Sequence, residues 1–374
     1  MKAKTNYLFS LILLISVACS TNKDVEPDTP SIAHSFEGVL EDSFNGIDVV
    51  VYANSKNGLI TAFDRTLSSG NLANFNRSDQ DFPNVFSTDD NTVWNIFGEA
   101  ISGPMEGEQL KPVDSQIGYW FSFATFFPRV TLMGENTQNR IYDDFSNDEW
   151  LIDPSLVITG AIKDGIPALN NPNYIQINSS NCSNDFYVTD NELVTVIKDE
   201  GQLKVYPHKI LDWHELVNDE INGAPFVLSY CPLTGTSDAW ERTIEGEITT
   251  FGVSGFLYNN NLILYDRATD SLWPQILRFS ANGEHIRKKQ KRLQVTEMTW
   301  QAAKQISCDI MLLSNDTGYT RNYAQYPYGT YKEEEGLLFP ITFEDTRVFG
   351  KERVLRILER TKVKAYRFSD FKKQ

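Results

Sequence analysis

Cysteine and histidine are scarce, four of each in 374 residues. A disulfide scaffold, a zinc-ribbon array and a multihaem chain are therefore excluded. Positive charge is in deficit too: 34 Lys plus Arg face 50 Asp plus Glu, a net charge of −16. Phosphate binding needs basic surface, so nucleic acid is not a partner, and general adsorption to anionic membranes is disfavoured. After the first twenty residues no apolar run reaches spanning length. There is no Walker loop, dinucleotide glycine fingerprint, Cys-x-x-Cys-His or His-Glu-x-x-His. Phe251-Gly-Val-Ser-Gly255 misses the Gly-x-Ser-x-Gly of a nucleophile elbow and reads as strand glycines that permit close backbone approach. What remains is ordinary globular composition, 41% hydrophobic and 22% charged, on a chain long enough to bury a core without staples.

The N-terminus reads as a targeting segment. Lys2 and Lys4 precede an apolar stretch over 8–17, too short to span a bilayer comfortably, and small residues lead into Cys19. Ser16-Val17-Ala18-Cys19 resembles the lipobox of bacterial lipoproteins, with Ser16 where Leu is usual. The expectation is a signal peptide over 1–18, lipid attachment at Cys19 and a polar, acidic tether over 19–35. The protein would then sit on a membrane of the bacterial cell envelope, outer membrane or periplasmic-facing, held by its lipid. A plain secretory signal with a chance Cys is the alternative.

The chain reads as an internal repeat. DVVVYANSKNGLITAFDR from Asp48 lies over PFVLSYCPLTGTSDAWER from Pro225, with Gly58 on Gly235 and Arg65 on Arg242. Trp94 falls opposite Trp273, and Trp120 opposite Trp300. Gly350–Phe368 matches Asp190–His208 without a gap, placing Tyr366 on Tyr206. One copy is contiguous and the other is split between the chain's two ends. The expected fold is mainly β with short helices (α+β), in two pseudo-equivalent lobes. The first takes 36–160 plus 340–374, completed by the C-terminal hairpin, and the second 161–339. The recurring Trp and Arg residues read as structural.

IDVVVYA, ELVTVIK, QLKVYP, PFVLSY, NLILYD and RVLRIL have strand composition and boundaries. LDWHELVND, YWFSFATFF and TWQAAKQIS read as helices, with Thr299 capping the last. Residues 66–90 and 170–186 read as loops. Ile286–Arg292 is the one basic cluster and reads as a solvated hairpin tip.

From Asp164 to Gln275 the motifs combine distinctively. They are Asp164-Gly-Ile-Pro-Ala-Leu169, Tyr206-Pro207, Trp213-His-Glu215 with Asn218-Asp219, Ser229-Tyr-Cys-Pro-Leu-Thr-Gly-Thr236, Phe251–Gly255 and Leu264-Tyr-Asp-Arg267 ahead of Trp273. This run resembles a large prokaryotic family of secreted and membrane-anchored proteins, the domain-of-unknown-function family 3179. Many members carry Cys-Pro-Leu-Cys where this chain has Cys231-Pro232-Leu233-Thr234, and some are selenoproteins. The resemblance implies chemistry for the chalcogen at this turn. It implies neither a substrate nor an established activity.

Cys231 follows an apolar strand, and Thr234 is spaced to hydrogen-bond a thiolate. The other copy has Asn54 and Asn57 at these positions. His208 and His214 lie just upstream, and Phe368 stands opposite His208. Cys231 with both histidines would suit copper or zinc, a thiolate favouring copper(I). Alternatively His214 is the base that activates Cys231. Glu215 and Asp219 are candidates to orient these groups. The expectation is a thiol-redox or metal site with an envelope redox or metal-handling partner. The competing expectation is a non-catalytic binding or scaffold lipoprotein in which Cys231 is a buried structural residue. Pairing of Cys182 with Cys308 stays open.

Overall fold

The computed structural model describes residues 36–135 and 149–371. The expected signal peptide over 1–18, Cys19 and the expected tether over 19–35 lie outside them. From Ser35 onward the chain forms one compact unit.

Alternating β-branched and aromatic residues produce the strands where the sequence places them. Ile47–Asn54 pairs antiparallel with Leu59–Asp64, and Ala224–Cys231 with Thr236–Glu241. Both hairpins close through a four-residue turn ending in a left-handed glycine, Gly58 at φ +60° and Gly235 at φ +61°. That is the conformation L-residues avoid. Two further hairpins match in the same way. Arg353–Glu359 with Lys362–Arg367 is flanked by the antiparallel strand Ser115–Tyr119 and the parallel strand Thr131–Leu132. Leu193–Asp199 with Gln202–Pro207 is flanked likewise by Thr296–Thr299 and Ile310–Leu313.

Each antiparallel flanking strand runs straight into a helix, α1 (Trp120–Phe126) and α3 (Trp300–Ile306). Thr299 caps α3, accepting the Ala302 N–H. Trp94, Trp120, Trp273 and Trp300 are all buried. The C-terminal hairpin packs on the N-terminal sheet: Leu355, Ile357 and Tyr366 close over Val49, Val51 and Ile60. Residues Ile197 and Tyr206 close over Phe226, Leu228 and Tyr230 in the corresponding way.

The two halves also cross. The Tyr119 N–H donates to the Thr234 carbonyl at 2.8 Å, and the Thr299 N–H to the Asn57 carbonyl at 2.8 Å. The turn of each half is thus tied to the strand end feeding a helix of the other. An ionic knot, buried at Asp238 and Arg278, joins them as well, with Asp114 and Asp238 meeting Arg278 and Arg292. Arg292 therefore leaves the basic cluster that the sequence assigns to solvent.

Three local expectations are corrected. α2 spans only His208–His214, and Leu216–Ile221 is a strand. Glu215 turns the chain at φ +57°, and pairing with Ala224–Cys231 outweighs helical spacing beyond it. Residues 66–90 contain the strands Phe75–Arg77 and Asn84–Thr88, because Phe75 and Phe86 bury edge-on against each other and Phe75 meets Trp94. Their polar neighbours face outward and read as loop. Residues 170–186 contain the strand Tyr174–Ile177, paired with Ile310–Leu313 and followed by a Cys182–Cys308 disulfide, which settles the pairing left open.

Candidate functional site

Cys231 ends its strand at the turn between the two halves, yet only 1% of it is exposed. Its thiol donates to the Asn260 carbonyl at 3.5 Å. Burial pushes its pKa up to about 11, and the Glu215 carboxylate adds to this. Thr234 and backbone groups of Thr234 and Leu262 pull the other way, as the Cys-x-x-Thr spacing suggests, but less strongly. The Thr234 hydroxyl is also shared with Thr236 and Asn261.

Neither histidine is engaged with this thiol. His214 donates from Nδ1 to the Pro167 carbonyl at 2.8 Å, so its Nε2 accepts from the Tyr323 hydroxyl at 2.7 Å. His208 shares a hydrogen bond with Thr195 at 3.1 Å, lies 3.5 Å from Glu297 and packs on the Tyr230 ring. Burial lowers the pKa of both histidines. Cys231, His208 and His214 thus do not assemble as a ligand set. Among the described residues no group of three or more His, Cys, Asp or Glu side chains is placed to hold a metal ion.

The supporting acids also serve other ends. Glu215 accepts the Tyr328 hydroxyl at 3.1 Å and leaves His214 to its own partners. Asp219 sits in a buried cluster, bonded to Lys204 at 3.0 Å, to the Tyr206 hydroxyl at 2.6 Å and to Tyr174.

Beside the turn lies a cleft of about 460 Å³, within the usual range of ligand pockets. Tyr119, Arg353 and Lys351 enter from one half, and Tyr230, Asp212 and Glu297 from the other. Asp212 holds Lys332 at 3.2 Å through both oxygens, and Glu297 holds Arg353 at 2.7 Å. Burial raises the pKa of Asp212 to about 6 against the opposing pull of Lys332. It raises Glu297 as well. Tyr119 and Tyr230 are 6% and 2% exposed, and neither hydroxyl has a hydrogen-bond partner among the described residues.

A family model described as a protein of unknown function (DUF3179) matches residues 18–130 and 163–374. The chain belongs to this family. No curated protein and no solved structure matches it.

In this DUF3179 chain the Cys231 turn is covered by a strap. Residues 314–352 contain no helix or strand. The Tyr331 hydroxyl donates to the Leu233 carbonyl at 2.8 Å, and the Tyr326 hydroxyl to the Pro232 carbonyl at 3.5 Å. Lys351 fastens the strap, its ammonium donating to the carbonyls of Tyr331, Glu334 and Gly336. Tyr326, Tyr328 and Tyr331 all pack into the apolar cluster that holds Cys231.

The reading of the sequence missed Asp212, Glu297, Lys332 and Arg353. A signal for two of them was present. Extending the repeat register puts Glu297 opposite Ile117 and Arg353 opposite Leu193, charged in one copy and apolar in the other.

Proposed function

We propose that this chain is a lipid-anchored binding protein of the cell envelope, whose ligand occupies the cleft beside the Cys231 turn. Cys231 is a structural thiol in this reading. One contrast carries it. The thiol is covered and held protonated, whereas two largely buried tyrosines beside it, Tyr119 and Tyr230, line an open cleft with hydroxyls that no protein group among the described residues engages. Such hydroxyls can donate to and accept from a polar molecule that enters the cleft.

The matching hairpins, turns and flanking strands support an internal duplication. Its lobes are 36–160 plus 340–374 and 161–339, and the working cleft lies where the copies differ. The Cys182–Cys308 disulfide supports an oxidising compartment, in keeping with an anchor at Cys19.

Two measurements test the proposal. Iodoacetamide should leave Cys231 unmodified in the native chain from about pH 5 to pH 9, and modify it only in denaturant. Rapid native modification, or protection by added copper, would restore the thiol-redox or metal reading with its envelope partner. A thermal-shift screen of polar small molecules should then give hits that survive Cys231→Ala and disappear in Arg353→Ala. Hits with the reverse dependence would overturn the cleft assignment.

A further inference from the structure

We infer that the cleft takes a neutral polyhydroxylated ligand, a saccharide, and selects against charged ligands of the same shape. This rests on the binding reading above and adds the ligand's class. The first observation is that the charges around the cleft are already matched. Asp212 is paired with Lys332 and Glu297 with Arg353. Lys209 is paired with Glu192 at 2.7 Å, and Lys351 is satisfied by three backbone carbonyls. An anionic ligand would compete with Asp212 or Glu297 for its cation, and a cationic one with Lys332 or Arg353 for its carboxylate. Either exchange leaves a half-buried charge without its counterion.

A hydroxyl has no such conflict, because it donates and accepts at once. Glu297 engages only one guanidinium nitrogen of Arg353, so donors remain on that side chain. Paired carboxylates keep lone pairs that can accept from a sugar hydroxyl. The second observation is the pair of unpartnered hydroxyls on Tyr119 and Tyr230, both on rings at least nine-tenths buried. A phenol placed this way offers one directional hydrogen bond from a rigid wall, because its ring is fixed by packing within the protein. Tyr326 adds a third ring to the wall. Preformed ion pairs and rigid tyrosines suit a ligand recognised by many modest hydrogen bonds.

The test uses the full chain and matched probes: N-acetylglucosamine and cellobiose as neutral sugars, glucosamine and glucuronate as charged ones. Titration calorimetry or saturation-transfer NMR reads binding at millimolar concentration. A neutral probe should bind at least about tenfold more tightly than either charged one, and Tyr230→Phe should weaken it by about fivefold to tenfold. Tyr119→Phe should act in the same direction, and neither change removes packing volume. A charged probe that binds more tightly than the neutral ones, with the same Tyr230 dependence, would overturn the saccharide assignment and leave the binding cleft standing. Sugar binding indifferent to both tyrosine variants and to Arg353→Ala would overturn the cleft as well. If no probe of either kind binds, the saccharide assignment falls, and the cleft stands or falls on the wider screen.

Discussion

Cys231 and Asn260 are joined through the backbone: the thiol donates to the Asn260 carbonyl, while the Asn260 side chain grips the strap. Its amide donates to the Phe339 carbonyl at 2.7 Å, and its oxygen accepts the Phe339 N–H at 3.0 Å. One asparagine thus fixes both the buried sulfur and the segment above it. Asn260→Ala should loosen the strap and raise the native alkylation rate of Cys231 by roughly tenfold to a hundredfold, the loss of two hydrogen bonds. An unchanged rate would show that Tyr331 and Lys351 hold the strap alone.

Glu215 gives a pH dependence of definite sign. Burial, with a smaller push from Asp212, raises its pKa to about 7 against the pull of the Tyr328 hydroxyl. The folded state therefore binds this proton more tightly than the unfolded chain does. The stability it contributes is full below the unfolded value and is lost as pH rises through about 7. Glu215→Gln keeps an acceptor for Tyr328 and removes the ionisation. It should be nearly neutral at about pH 5 and stabilising by on the order of 3 kcal/mol at about pH 8, read from urea midpoints.

Asp219 should behave as a structural residue. Asp219→Asn leaves the Lys204 ammonium buried without its counterion, at a cost of about 3–5 kcal/mol. The expected result is a lower unfolding midpoint, with cleft binding intact in the fraction that remains folded. Loss of binding without loss of stability would return Asp219 to the site.

Gly235 is under two constraints. Its φ is +61°, and an added Cβ would lie 3.0 Å from the Tyr119 ring. Gly235→Ala should cost about 1–2 kcal/mol from the backbone alone and displace Tyr119 besides. Gly46→Ala is the control, since its added Cβ meets nothing within 4 Å. Urea denaturation should show the larger loss at Gly235, and ligand titration should show weaker binding only there.

The long core strands and two of the helices are legible because their apolar residues alternate or recur at helical spacing, whereas the short strands Phe75–Arg77, Asn84–Thr88 and Tyr174–Ile177 are not. α2 was overextended because Leu216 continues the helical pattern, and only the tertiary pairing of Leu216–Ile221 breaks it. The Cys231 turn stands out by its place after an apolar strand, its Cys-x-x-Thr spacing and the family motif, but none of these says whether a thiol is open or covered. That depends on the strap, which carries no periodic signal. Glu297 and Arg353 were open to a test of asymmetry between the copies. Asp212 and Lys332 were not: they are 120 residues apart, and Lys332 stands before a run of three glutamates that reads as solvated surface.

Tyr119 lies on a strand whose antiparallel neighbour, Arg353–Glu359, arrives more than 230 residues later, and Lys351 stands just before that neighbour. During synthesis or export from the N-terminal end, the wall bearing Tyr119 must wait for Arg353–Glu359 to emerge. A product stalled before residue 314 would leave the Cys231 turn without its strap and the cleft wall without Lys351 and Arg353.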